Sequence, residues 1–309
     1  MEKQKQINKF PNLIGISGKI NSGKDTVGKM IEYLTDFYKL KELGLEQEDG
    51  IPDEPSMDNF FMWDYAGNEP KFYKIVKFAD KLKDCVCLIL GCTREQLEDS
   101  EFKSKELGEE WKLLKETSSY GAQDKLYPIG YKGLTHIVHT QEEILTPRKI
   151  LQLLGTECGR QIIHPNIWIN ATFADYKPIM PQIRRGRMTS KAAAYVVKQS
   201  ILNPQYPNWI ITDCRFPNEA QAIKDRGGIL IRVDRNVELR YSELWKQFHE
   251  QDKYDEWDEY LKSINQLEKV YHPSETALDD YKDWDYVINN NGTLENLLTK
   301  IQKIYKNEK

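Results

Sequence analysis

The apolar positions of the chain change period repeatedly. Leu13-Ile14-Gly15-Ile16 is a continuous apolar run of the kind that fits a strand buried on both faces, and Val27, Met30, Ile31, Leu34, Phe37 and Tyr38 then recur at helical spacing. Phe72 to Phe78 reads as a second strand and Leu82 to Leu90 as a buried helix. Thr93 and Gln96 have the spacing of a capping box that opens a short helix. Thr146 and Pro147 supply a cap and a first-turn proline for a helix whose buried side is Ile150, Leu151, Leu153 and Leu154. Gly155 to Arg160 continues that helix, His164-Pro165 marks a turn, and Ile167 to Phe173 resumes a helical pattern. Ile210 to Asp213 is a third strand, and Asn218 to Arg226 is a helix stopped at Gly227-Gly228. Ile229 to Val233 and Tyr286 to Ile288 are further strands, and Leu294, Leu297, Leu298, Ile301 and Ile304 make a terminal amphipathic helix. Such alternation predicts an α/β fold, a parallel sheet with helices on both faces.

Four stretches interrupt the alternation and are read as insertions. Residues 41–70 are polar, acidic and punctuated by glycine and proline, and their aromatics Phe60, Phe61, Trp63 and Tyr65 are expected to pack on the body more readily than to cover a ligand. Residues 101–141 show no regular pattern. Residues 178–207 hold Arg184, Arg185, Arg187 and Lys191, either a mobile basic lid over phosphates or a solvated surface segment. Residues 238–267 are highly charged and helix-like, a solvated helical insertion.

Between the first strand and the first helix stands Gly18-Lys19-Ile20-Asn21-Ser22-Gly23-Lys24-Asp25-Thr26. Glycines at both ends of such a loop let the backbone curl its N–H groups around phosphate oxygens, and the lysine reaches the β- and γ-phosphates. Gly18, Gly23 and Lys24 fill those places. A helix opening at Lys24 adds its positive end to the same anion. One position departs from the general pattern: Asp25 follows the lysine, and the hydroxyl comes one residue later, in Thr26. A glycine-rich turn that binds nothing is the alternative; the strand before and the helix after favour a phosphate-binding loop (P-loop) and a nucleotide.

Composition narrows the class. A chain of 309 residues is long for one nucleotide-binding domain, so either two domains or one with large insertions is expected, and a single P-loop domain over 1–309 carrying the four insertions is the organisation adopted. Its 44 Lys and Arg against 48 Asp and Glu leave a net charge of −4, which provides no basic field for nucleic acid or an anionic membrane. Cys85, Cys87, Cys92, Cys158 and Cys214 contain no C-x-x-C pair and read as reduced core thiols of a cytoplasmic protein. No apolar run reaches the ~18 residues of a membrane span, and residues 1–9 are polar.

Phosphoryl transfer needs the γ-phosphate, the acceptor and Mg²⁺ held in line while spreading charge is neutralised. Asp213 stands where a Walker-B acid would hold Mg²⁺, with Asp25 beside the loop lysine as the second candidate metal carboxylate. The next residue is Cys214 rather than glutamate, which favours transfer to a bound acceptor over hydrolysis. A phosphorylated acceptor calls for guanidinium forks, and Arg148 and Arg215 are the candidates. Arg148 and Gln152 are four apart and share one helical face. Lys24, Asp213 and Arg148 form the candidate catalytic set.

Six segments in order carry a resemblance: the G-K-D-T loop, F-A-D-K-L-K (Phe78 to Lys83), T-P-R-K-I-L-Q-L-L-G-T-E (Thr146 to Glu157), W-I-N (Trp168 to Asn170), T-D-C-R-F-P-N-E-A (Thr212 to Ala220) and H-P-S-E-T-A-L (His272 to Leu278), with an N-G-T-L-E ending. Together they resemble the bacteriophage deoxynucleoside monophosphate kinases, in which aspartate is the usual residue after the loop lysine. The resemblance implies ATP- and Mg²⁺-dependent conversion of a 2′-deoxynucleoside 5′-monophosphate to the diphosphate, in the host cytoplasm for a phage-encoded chain. It assigns Asn21, Ser22, Gly23, Lys24, Asp25 and Thr26 to ATP. Lys83, Arg148, Gln152, Trp168, Asp213 and Arg215 fall to the monophosphate, with Trp168 as a wall of its base or sugar site. Arg232 and Arg235 would approach the adenine or its phosphates. Base specificity is left open, as is the oligomeric state, a homodimer included. Two other readings remain: a small-molecule P-loop kinase resembling dephospho-coenzyme A kinase, and a nucleotide-binding protein without turnover.

Overall fold

The computed structural model describes residues 10–42, 53–67, 71–122, 134–180, 197–236 and 276–306, and the backbone alone for 114–122 and 134–143. The expected helix at 238–267, the basic run from Arg184 to Lys191 and His272 to Glu275 lie outside these residues. In chain order the elements are β1 (Leu13–Ser17), α1 (Lys24–Glu42), α2 (Met57–Ala66), β2 (Lys74–Val76), α3 (Ala79–Leu90), α4 (Arg94–Glu98), α5 (Ser100–Ser104), β3 (Lys112–Ala122) and β4 (Leu134–Ile144). They continue with α6 (Pro147–Gln152), a π-helical run Leu153–Ile163, α7 (Ile167–Phe173), β5 (Trp209–Ile211), α8 (Pro217–Lys224), β6 (Ile229–Asp234), β7 (Tyr286–Asn289) and α9 (Leu294–Lys306). They divide into two compact units, Met1–Phe78 with Ile169–Lys309, and Ala79–Trp168.

The first unit is built on a five-stranded sheet in the order β2-β5-β1-β6-β7, with every pair parallel. β1 is central: Leu13 stands opposite Trp209 of β5, and Ile14 opposite Ile229 of β6. Its side chains alternate between two cores. Ile14 and Ile16 pack with Val27, Met30, Ile31 and Leu34 of α1 and with Leu297, Leu298 and Ile301 of α9. Leu13 faces Phe173, Ile211, Ala220, Ile223 and Leu230 on the other side. Both faces are therefore covered, which is why β1 reads as an unbroken apolar run; each such side chain removed from water contributes about 1.5–3 kcal/mol.

Within 41–70 the chain forms α2. Ser56 caps it by accepting from the Asn59 N–H, and Gly67 closes it in the left-handed region at φ 60°. Phe60 is buried against Tyr33, and Trp63 packs beside both, so these aromatics join the core as expected, while Phe61 and Tyr65 are exposed.

The second unit is organised around Leu82, Val86, Leu97, Ile150 and Trp168. The Thr93–Gln96 capping box forms with both of its hydrogen bonds, and Thr146 caps α6 with Pro147 in the first turn, as the sequence predicts. Two expectations are corrected. α3 is not a buried helix: Leu82 and Val86 face the core, while Leu88 is 84% exposed, and Cys85 on the same helix is an exposed thiol rather than a core one. Within 101–141 the described residues are not irregular either, since β3 and β4 pair antiparallel from Lys112–Ile144 to Ala122–Leu134. The run Lys115-Glu116-Thr117-Ser118-Ser119 has no apolar alternation, so the pattern that reveals a half-buried strand is missing from it. Among the described residues no helix is long and apolar enough to cross a membrane.

Candidate nucleotide-binding site

The carboxyl ends of all five parallel strands in the first unit contribute to one region, where sheets of this kind place ligands. After β1 comes the loop Gly18 to Gly23, and α1 opens at Lys24. The loop is tightly folded: the Ser22 N–H donates to the Lys19 carbonyl at 3.1 Å, Asn21 takes φ 61°, and Gly23 takes φ 91°. Asparagine tolerates the left-handed region, but the Gly23 site is closed to a side chain twice over, because a Cβ there would also collide with the Asn290 amide. At Gly18 a Cβ would lie 2.7 Å from the Val233 carbonyl and strike the Ser22 hydroxyl. That hydroxyl is buried and has no hydrogen-bond partner in the described structure. Lys24 is buried with its ammonium 3.4 Å from the Lys19 carbonyl, curled back over the loop.

Three residues from other strand ends hold this loop and its first helical turn. Asn290, just past β7, donates its side-chain N–H to the Ser22 carbonyl at 2.8 Å, while its own backbone N–H donates to the carbonyl of Asp234, the last residue of β6, at 2.7 Å. Thr212, just past β5, donates its hydroxyl to Asp25 Oδ1 at 2.7 Å. Lys77, just past β2, pairs with the same oxygen at 2.9 Å. Burial pushes the Asp25 carboxyl up, but the hydrogen bonds from Lys77 and Thr212 and the charges of Lys77 and Lys24 outweigh it and hold the group below its ordinary value. Asp25 therefore stays ionised at neutral pH.

Asp213 is buried at the end of β5, where its Oδ1 accepts from the Phe78 N–H at 2.7 Å. Burial pushes the neighbouring Cys214 thiol well above its ordinary value, so it is a neutral packing group. Arg215 is half-buried, and Glu219 fixes its position by accepting from the backbone N–H groups of Arg215 at 2.7 Å and Phe216 at 3.1 Å. Thr26 lies in the first turn of α1, half-buried. At the carboxyl end of β6, Arg232 is tied to Asp234 at 2.8 Å and approaches Asp279 at 3.8 Å, and Asp279 also pairs with Lys19 of the loop at 2.9 Å. Arg235 follows, half-buried.

The remaining predicted residues belong to the second unit. Lys83 on α3 pairs with Glu98. Arg148, exposed in the first turn of α6, donates to Ser104 Oγ at 3.3 Å, and Gln152 is half-buried one turn later. Trp168 is 6% exposed and packs in the core of this unit, with its indole N–H donating to the Gly155 carbonyl at 2.8 Å. The structure thus brings together Gly18, Asn21, Ser22, Gly23, Lys24, Asp25, Thr26 and Asp213 in the first unit and places Lys83, Arg148, Gln152 and Trp168 in the second.

Sequence reasoning passed over Lys77, Thr212, Glu219 and Asn290. Thr212 lies at the carboxyl end of the predicted strand Ile210 to Asp213 and Asn290 just after the predicted strand Tyr286 to Ile288, which is the one signal that points to them.

No protein-family model matches the chain. Two viral proteins are similar in sequence. One is the deoxynucleoside-5′-monophosphate kinase of Escherichia phage T5, 24% identical over 237 residues that cover 69% of this chain and 72% of the relative. The other, from Acanthamoeba polyphaga mimivirus, carries the name of a deoxynucleotide monophosphate kinase and is 28% identical over 156 residues, 50% of this chain and 59% of the relative. Both are named for the family that the six sequence segments resemble: this protein is a sequence relative of two viral proteins named as deoxynucleoside or deoxynucleotide monophosphate kinases.

Proposed function

We propose that the chain transfers the γ-phosphoryl group of ATP to the 5′-phosphate of a 2′-deoxynucleoside 5′-monophosphate, giving ADP and the diphosphate. The observation that carries the reading is the loop Gly18 to Lys24, folded at the amino end of α1 beside the buried Asp213 carboxylate, in a chain similar to two proteins named for this activity. Backbone N–H groups of the loop and the positive end of α1 receive the donor's phosphates, and the Lys24 ammonium follows the charge that grows on the oxygen between β- and γ-phosphorus. A phosphate oxygen of the acceptor forms the new bond to the γ-phosphorus as the bond to the ADP oxygen breaks. In the first unit Arg215, its backbone held by Glu219, is available to phosphate; in the second unit Arg148 and Lys83 are the cations suited to a phosphorylated acceptor.

Mg²⁺ suits the donors present: Asp213 and the ionised Asp25 are hard oxygen ligands, and an ion carried on nucleotide phosphates takes only one or two carboxylates from its protein. When bound, it neutralises charge on the β- and γ-phosphates.

The test is a panel of nucleoside and deoxynucleoside monophosphates and dephospho-coenzyme A, assayed with labelled ATP. Label is expected in a deoxynucleoside diphosphate, with little ADP released when no acceptor is present. Lys24→Ala is expected to lower turnover by about 10²-fold or more, the size of losing one group that stabilises the transition-state charge, with no large change in melting temperature. Label in another acceptor, or tight ATP binding without transfer, overturns the assignment.

A further inference from the structure

Lys77 follows β2, and the backbone on both sides of it is fixed. Val76 stands opposite Ile211 in the sheet, its carbonyl accepts from the Thr212 N–H at 3.4 Å, and Phe78 donates its N–H to Asp213 Oδ1 at 2.7 Å. From there the Lys77 side chain reaches past the end of β5, which lies between β2 and β1, to Asp25 in the first turn of α1. Two consecutive residues therefore hold the two carboxylates suited to Mg²⁺: Asp25 through the Lys77 ammonium at 2.9 Å, and Asp213 through the Phe78 amide.

Asp25 does not depend on this ion pair for its place. Thr212 bonds the same carboxylate oxygen at 2.7 Å, the positive end of α1 lies beneath it, and a pair whose side chains are 34% and 57% exposed contributes little to folding. What the pair does is set a second ammonium near Lys24, at the helix end that receives phosphate. An ion taken up by Asp25 puts like charge beside that ammonium, and the flexible lysine stem lets it leave for the nearest anion. We propose that Lys77 is a ligand of the donor's γ-phosphate: its ammonium rests on Asp25 in the unliganded chain and exchanges that carboxylate for a γ-phosphate oxygen when the nucleotide binds. The donor's identity as a nucleoside triphosphate rests on the kinase reading; the acceptor does not enter.

The purified full chain and its Lys77→Met and Lys77→Arg variants are titrated by calorimetry with ADP and with a non-hydrolysable ATP analogue, each with Mg²⁺. Lys77→Met keeps the length of the stem and removes the charge. It is expected to weaken the ATP analogue about 10-fold or more, the range of one hydrogen bond between charged groups, and to leave ADP affinity and the unliganded melting temperature nearly unchanged. Lys77→Arg recovers most of the loss. A role confined to holding Asp25 would weaken both nucleotides alike, and that result overturns the γ-phosphate assignment, as does undiminished affinity of Lys77→Met for the analogue. A loss confined to the analogue, in a chain that phosphorylates no monophosphate, keeps Lys77 on the γ-phosphate and overturns the kinase reading instead.

Discussion

Asn290 donates to the Ser22 carbonyl across 268 positions of chain and at the same time blocks any side chain at Gly23. In Asn290→Ala that carbonyl loses its partner and a gap opens beneath the loop. The expected cost is about 1–3 kcal/mol of stability, that of a buried group left unsatisfied, with a rise in the KM for ATP larger than that for the acceptor. Asn290→Asp keeps the volume but turns an acceptor toward the carbonyl, so melting curves and initial rates should show a loss at least as large; wild-type behaviour in that variant would remove the amide from the account. Asp25 gives a pH-dependent test. Its folded value lies below the unfolded 3.8, so its contribution to stability is present above that pH and is lost as pH falls through the folded value. The difference in melting temperature between wild type and Asp25→Asn should therefore be constant near neutrality and shrink below about pH 4. The loop itself was legible because phosphate binding there depends on neighbours in sequence. Lys77, Thr212 and Asn290 were not, since they reach it only through strand pairing.

At the scale of elements, α7 illustrates what periodicity leaves open. The pattern shows Trp168 on a helix but not which side of it faces a ligand. In the structure its ring lies in the core of the second unit, against the π-helical run that bonds its indole N–H. Trp168→Ala is expected to cost about 3–5 kcal/mol and to lower the melting temperature of the unliganded protein. Trp168→Phe, which keeps most of the ring and loses the bond to Gly155, should cost less. A loss of monophosphate affinity in Trp168→Ala with an unchanged unliganded melting point would move the residue from the core to the substrate. Caps were the best-read features of the second unit, because Thr93, Gln96, Thr146 and Pro147 act within one turn. The β3–β4 pair was the worst, because stretches such as Lys115 to Ser119 carry no apolar alternation in the sequence. α2 had both of its signals in view, Ser56 before it and Gly67 after it, and was hidden by the acidic, proline-rich context around them.

For the molecule as a whole, the alternation of strand and helix was enough to predict a parallel sheet covered on both faces, and the five strands bear this out. The strand order was not predictable from that alternation, which says what each segment is and not where it inserts. The order has a consequence for how the protein comes to exist. The central strand is the first one synthesised, yet its partners on both sides are encoded about 200 residues later. At roughly 5–20 residues per second, some 10–40 s separate the appearance of the β1 segment from that of β5. Throughout that interval the ribosome-tethered chain carries the Leu-Ile-Gly-Ile segment without its strand partners, and α1 can cover only one of its faces, which leaves a target for chaperones or for a neighbouring nascent chain. Cellular nucleotide meets a fully braced loop only late in synthesis, because the Asn290 amide is encoded 268 positions after the Ser22 carbonyl that it holds.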